Sequence, residues 1–281
     1  MRSGRRVFGS LFRMATTLAT FVGVVALLLL LGGVLADGVG SLSGTFFQNF
    51  ASRFPERAGI RAPLLGTLWL LVLTGLIAIP ISVGAAVYLE EYAPRNWATR
   101  AIQTNITTLA GMPSIVYGIL GLAFFVRALD LGRSVLAGAL TLSLLIMPII
   151  VMAAQEAIRA VPHRVREAAY GLGATRWQVV RHQVIPAALP GIITGSILAL
   201  SRAVGEAAPL IMVGALSFIA FTPETLADPF TALPVQIFNW VSRPQEEFRH
   251  LAAAAIIVLL VLLLSMNAVA ILIRHRFEDR Y

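Results

Sequence analysis

The sequence predicts an all-α, polytopic membrane protein with six transmembrane helices, on three observations. Of the 281 residues, 58% are hydrophobic and 13% are charged, and mean hydropathy is +0.82. Soluble domains carry roughly a quarter charged residues, so this chain cannot cover a water-facing surface. Six runs reach the ~20 apolar residues that a helix needs to cross a bilayer. The arginines are unevenly shared between alternate loops, as in proteins whose orientation is set by positive charge.

Taken in order, the predicted spans are Ala15–Leu35, Leu65–Leu89, Ile102–Ala128, Val135–Ala154, Gly191–Ala215 and Leu251–Ile273. The first follows Arg2, Arg5 and Arg6, as a signal peptide would. Its apolar run exceeds the roughly 7–15 residues of a cleavable segment, so it reads as a retained anchor. Fourteen arginines flank the spans on the side holding both termini and seven on the other, with Arg202 left inside the fifth span. That bias places both termini in the cytoplasm. Residues 1–64 form an anchor helix and outside loop, and 65–281 the core. A second outside loop, 216–250, carries Phe218, Phe221, Phe230, Phe238 and Trp240. Two readings stand: an aromatic belt at the headgroups, or a partly re-entrant or partner-contacting element.

Absent residue types narrow the chemistry. Without lysine there is no Walker A loop and no Schiff base. Without cysteine there is no disulfide, thiolate nucleophile or Fe–S cluster. His163, His182, His250 and His275 are scattered with no HExxH, and no GxSxG occurs, so neither a metal site nor a hydrolase is visible. The basic surplus matches membrane orientation rather than nucleic-acid binding. The sequence predicts no enzyme and no cofactor in this chain.

The inside loop, about 155–190, is the informative one. Charged residues alternate with Ile158, Val161, Val165, Ala168, Ala169 and Leu172, the spacing of an amphipathic helix interrupted at Pro162. Gly173 suits the left-handed position that ends a helix. Thr175 and Gln178 have the spacing of a capping box that starts a second helix, which Pro186 is expected to stop. Two short helices at an angle, tied at both ends to the membrane, make a rigid hook.

Glu167-Ala168-Ala169, three residues and Gly173 resemble the EAA loop of ABC importer permeases. The continuation Gln183-Val184-Ile185-Pro186 keeps the family proline and departs at Gln183. Glu90-Glu91-Tyr92-Ala93-Pro94 and Met112 through Gly118 resemble permeases of phosphate-specific (Pst) importers. Ser201 through Leu210 and Thr231 through Phe238 resemble the A-type permease in particular. The likeness covers about 60–275. It implies the type I ABC importer permease fold in a bacterial plasma membrane. It further implies a heterodimer with a second, related permease, two ATPase subunits that bind ATP and Mg, and an outer phosphate-binding protein. Glu167, Ala168, Ala169, Gly173, Thr175 and Arg176 would then contact the ATPase.

Arg202 and Glu206 are one helical turn apart within the fifth span, where a charge costs about 2.5–3.5 kcal/mol on insertion scales. Either they form a structural salt bridge or they line an anion path. Arginine offers phosphate a fork of donors. Glu206 would hold that fork, or accept a hydrogen bond from a protonated phosphate oxygen, which sulfate lacks. Asn105 and Ser114 are further path candidates, and Pro209 and Pro113 are candidate hinges. Gly191, Gly195, Ala199, Ala203 and Ala207 form one small-residue stripe, and Ala110, Ser114 and Gly118 a second. A rival function is ion-coupled transport with Arg202 and Glu206 as a proton relay. Such carriers often show inverted repeats, and no convincing one is found here. Another oxyanion, sulfate or molybdate, is the nearest alternative substrate.

Overall fold

A computed structural model describes residues 2–215 and 218–278. Arg280, counted above, lies outside them. The helices are α1 (Arg2–Gly38), α2 (Gly44–Gln48), α3 (Arg61–Val87), α4 (Trp97–Ala110), α5 (Ser114–Gly121) and α6 (Val135–Arg159). They continue as α7 (His163–Gly171), α8 (Arg176–Val179), α9 (Ile185–Val204), α10 (Ala208–Val213), α11 (Leu233–Val241) and α12 (Glu246–Glu278). No strand occurs among the described residues.

Five continuous stretches are long and apolar enough to cross a membrane: 12–41, 61–92, 135–159, 176–204 and 246–274. The expected third span is instead two helices, α4 and α5, bent by 104° at Gly111-Met112-Pro113. Proline has no N–H and its ring displaces the carbonyl four residues back, here that of Leu109. The Tyr117 hydroxyl donates to that carbonyl at 2.7 Å and Met112 N–H at 3.1 Å, so the break leaves it satisfied. The predicted stripe Ala110, Ser114 and Gly118 is accordingly split between two helices.

α6 is the central helix, packed against α3, α9 and α5. In lipid the hydrophobic effect does not drive helices together, so close van der Waals contact must. The α9 stripe provides it. A Cβ at Gly191 would lie 2.8 Å from the Ala157 Cβ, and one at Gly195 2.5 Å from that of Ala153. Leu142, Ile146 and Ile150 of α6 are buried with Leu70 of α3, and with Ala199 and Leu200 of α9. α1 is different. None of its most apolar window is buried, and its main neighbour is α12, so its apolar surface lies outside the bundle of this chain.

Two further expectations are corrected. Pro186 does not stop the second hook helix. α8 passes through a π-turn at Val180–Val184 into α9, giving one helical stretch from Arg176 to Val204. The wider turn, closed by Ile185 N–H on the Val180 carbonyl, carries the chain past a proline that would clash in a regular turn. The fifth span also ends at Val204 rather than Ala215, with α10 following as a separate short helix.

The loop after α10 packs into the end of the bundle opposite the hook. Phe230 and Trp240 are fully buried, while Phe218, Phe221 and Phe238 are exposed, so the aromatics divide between core and surface. Trp240 sits between Phe46 and Phe248, at 6.2 and 6.5 Å between ring centroids. Backbone carbonyls of the same loop cap α6: Val135 N–H donates to Asp228 and Leu136 N–H to Leu226, both at 3.0 Å. The Asp228 carboxylate holds this turn by accepting from Thr225 and Glu224 N–H groups and the Thr225 hydroxyl. Those bonds, chiefly to Thr225, hold its pKa below the ordinary 3.8. A lowered folded pKa means that the stabilisation is complete above the ordinary carboxylate value and is lost as pH falls through the lower folded one. Asp228→Asn should raise amide exchange at Val135 and Leu136 near neutral pH; unchanged exchange would mean that the carboxylate does not hold the cap.

Candidate functional site

The turn between the two hook helices is built as its sequence predicts, although the second helix runs on past Pro186. α6 ends at Arg159 and Pro162 opens α7. α7 closes in a Schellman motif: Ala174 N–H donates to the Ala169 carbonyl at 3.1 Å and Gly173 N–H to that of Tyr170 at 2.9 Å. Gly173 has φ +83°, which its lack of a Cβ permits. Thr175 and Gln178 then form the capping box of α8. Glu167, Ala168, Thr175 and Arg176 are exposed and Ala169 half-buried. Glu167 makes no ion pair among the described residues. Leu172 was grouped with the apolar stripe. It is 90% exposed, beside Tyr170 at 45% and Trp177 at 56%. An apolar tip on a charged projection is suited to a protein partner.

Side chains fasten this hook to the end of α3, where a π-turn runs from Tyr88 to Tyr92. Arg166 of α7 donates to one Glu91 carboxylate oxygen from Nε and Nη2, at 3.2 and 2.9 Å. Its Nη1 and Nη2 also donate to the Val161 and Ile158 carbonyls, at 2.6 and 2.9 Å. Both side chains of the pair are nearly buried. Arg176 lies over the Tyr92 ring, 5.0 Å from its centroid, so it faces α3 as well as any partner. Glu90 pairs separately with Arg159 at the end of α6.

The second constellation lies at the end of α9. Arg202 is in the last turn of that helix and Glu206 is beyond it, so the two straddle a helix break rather than sharing one mid-span helix. Pro209, at the start of α10, explains the break, since its i−4 carbonyl belongs to Gly205. A cation at a helix C-terminus and an anion before the next helix both suit the local dipoles. Their closest contact is 3.8 Å, longer than a hydrogen bond, and the Arg202 side chain is 56% exposed against 22% for Glu206. The guanidinium is open to a further ligand. The two breaks are brought close: a Cβ on Gly118 of α5 would lie 2.7 Å from the Pro209 Cα and 2.8 Å from the Met212 Cβ.

The other path candidates do not join this pair by hydrogen bonds. Asn105 is exposed on α4 and donates to its own helix at Ala101, 2.8 Å away. Ser114 is half-buried at the start of α5. No group of three or more metal-ligating side chains occurs among the described residues.

Sequence reasoning missed the Glu91–Arg166 tie, although both residues were in view. In the sequence Glu91 stands out only as part of a family-like segment, and Arg166 is one of five arginines between residues 155 and 190. The available signal was a pair of adjacent carboxylates at the end of a span, which need cations nearby.

The family of binding-protein-dependent transport system inner membrane components matches residues 78–280. The chain is 36% identical over 249 residues to a Bacillus subtilis protein described as a probable ABC transporter permease, YqgI, covering 84% of this chain and 85% of that one. It is 31% identical over 257 residues to the phosphate transport system permease PstA 1 of Mycobacterium tuberculosis, with 90% and 84% covered. A third relative, PstA of Pasteurella multocida, is 31% identical over 266 residues, with 94% of each chain covered. Among solved structures, an inward-facing MetNI methionine ABC transporter has a TM-score of 0.64 at 18% identity, covering 78% of this chain and 97% of that one. An alginate ABC transporter with a pentasaccharide-bound periplasmic protein has a TM-score of 0.56 at 17% identity, covering 75% and 76%. At such identities the structures establish the fold alone, that of the type I ABC importer permeases. With five helical stretches long and apolar enough to cross a membrane, one sharply bent apolar helix pair and the hook in place, the chain belongs to the family of binding-protein-dependent transport system inner membrane components, the multi-pass permeases of ABC importers.

Proposed function

We propose that this permease imports inorganic phosphate, driven by separate ATPase subunits that dock on the hook. The observation that carries the reading is the hook itself. Its angle is fixed by Gly173 and the capping box, and its exposed tip is Tyr170, Leu172 and Trp177. Relatives named as phosphate transport system permeases support the substrate. In this scheme Glu167, Ala168, Ala169, Thr175 and Arg176 form the docking face. ATP and Mg bind the partners, since a chain with no lysine cannot build a Walker A loop. The hook and both termini are cytoplasmic, in the plasma membrane of a bacterium. A second, related permease completes the path across residues 65–281, two ATPases sit below, and a phosphate-binding protein delivers substrate from outside.

Arg202 and Glu206 line the path. An open guanidinium inside a membrane protein needs water, a partner or an anion. Phosphate suits its fork of donors, and Glu206 accepts a hydrogen bond from a protonated phosphate oxygen. The breaks before Pro209 and Pro113 are the hinges for alternating access, and Asn105 and Ser114 lie along the same route.

The test is reconstitution of this chain with its permease partner, ATPase and binding protein in liposomes, followed by uptake of labelled phosphate with sulfate as control. The expected result is phosphate uptake that vanishes without ATP or without the ATPase. Sulfate uptake instead would overturn the substrate. ATP-independent uptake by this chain alone would overturn the mechanism in favour of ion coupling through Arg202 and Glu206.

A further inference from the structure

We propose that the π-turn Tyr88–Tyr92 is the receiver through which movement of the hook reaches α3, with Glu91 as its positioning residue. The inference rests on reading the hook as the ATPase-driven lever. Three spans meet at the hook, and they are attached in different ways. α6 enters it and α9 leaves it through the main chain, across Pro162 and through the π-turn 180–184. α3 is not continuous with it and follows it only as far as side chains hold.

Those side chains converge on one turn of α3. From α7, Arg166 reaches Glu91; from α8, Arg176 reaches Tyr92. Both halves of the hook are therefore fastened to five consecutive residues. The Arg166 tie is the stronger. It is charge-assisted, made from two guanidinium nitrogens, and its side chains are only 13% and 10% exposed, where solvent screens poorly. The same guanidinium binds the carbonyl of Ile158 at the end of α6 and that of Val161 in the link beyond it. One planar group thus locks three helix ends into a unit. Its neighbour makes the contrast plain. Glu90 pairs with Arg159, which is on α6 and not on the hook. That pair braces two spans to each other, whereas Glu91 joins a span to the lever.

Glu91→Gln separates these roles, because Arg166 keeps both carbonyl bonds and the corner between α6 and α7 stays built. In the reconstituted complex, phosphate taken up per ATP hydrolysed should fall about tenfold, as a charge-assisted bond becomes a neutral one, with hydrolysis itself within about twofold of wild type. Glu90→Gln should leave the ratio unchanged. A loss of stability alone would lower uptake and hydrolysis together, so the ratio isolates positioning. An unchanged ratio in Glu91→Gln would overturn the proposal, and so would an equal fall in Glu90→Gln. Should Glu91→Gln fail to assemble, Glu91→Gln/Arg166→Gln leaves no buried unpaired charge and should show at least the same fall, since it also gives up the bonds to the Ile158 and Val161 carbonyls; a wild-type ratio there would equally overturn the proposal. A wild-type complex without ATP-dependent uptake would instead sink the functional reading itself, which keeps the two failures distinct.

Discussion

Arg202→Gln should lower phosphate uptake by about 100-fold in the reconstituted complex while the subunits still co-purify. The size follows from the geometry. Losing hydrogen bonds to a charged group costs about 1.5–3 kcal/mol, and about 1.4 kcal/mol is tenfold. Phosphate would lose a fork that binds two oxygens at once, and glutamine offers neither the charge nor the second donor in that geometry. Assembly should survive for three reasons. The Arg202 side chain is 56% exposed, so little packing is lost. Its contact with Glu206 is 3.8 Å, so no hydrogen bond holding the break is removed. The break itself follows from Pro209, which the variant keeps. Arg202→Lys retains the charge without the fork, and uptake should be intermediate. Uptake in Arg202→Gln within about twofold of wild type would show that the anion does not meet this residue, since an uncharged side chain cannot replace the fork.

The spans were legible because hydrocarbon imposes a long, one-dimensional signal. About 20 apolar residues are needed whatever the neighbours do. Breaks inside spans were less legible. Pro113, Pro148 and Pro209 all interrupt apolar runs, yet α6 runs straight through Pro148 while the other two sites break. The difference is tertiary. Pro148 is buried in the central helix, packed between α3 and α9, and its neighbours hold the helix together. Pro113 follows Gly111 and has a tyrosine hydroxyl placed to satisfy the freed carbonyl. Pro209 follows Gly205, the residue whose carbonyl it displaces. A glycine within the four residues before the proline marks both breaks, whereas Pro190, with Gly191 after it, stays inside α9, and Pro186 is absorbed by a π-turn.

The hook was legible for a local reason: Gly173 and the Thr175 and Gln178 pair act on their own turns, within a few residues. Arg202 and Glu206 stand out in the sequence because charge is rare inside a span, but the helix break between them does not. The ties that seat the hook were not legible. Glu91 and Arg166 are 75 positions apart, and five arginines in the loop competed for that carboxylate. Only the fold selects one. The exposure of Leu172 was hidden for the opposite reason. An apolar residue in helical register reads as core, and only the fold shows that Leu172, just past the end of α7, is left uncovered by the described residues.

Gly173→Pro should uncouple the complex, with ATP hydrolysis persisting and uptake reduced at least about tenfold, because proline fixes φ near −65° where this turn needs a positive value. The turn has φ +83°. The variant also removes the N–H that donates to the Tyr170 carbonyl, one of the two bonds of the Schellman motif. Nothing lies within 4 Å of the position a Cβ would take, so the effect is conformational and not a clash with another helix. That is why the spans should insert and pack normally: their contacts lie elsewhere, on α3, α6 and α9. What changes is the angle between α7 and α8, and with it the placement of Glu167, Ala168 and Ala169 against the ATPase. Gly173→Ala provides the graded control. An L-residue in the left-handed region costs roughly 1–2 kcal/mol yet keeps the N–H, so the hook should bend less and coupling should be largely kept. A fully coupled Gly173→Pro complex would show that the angle set here is not what carries force from the ATPase to the spans.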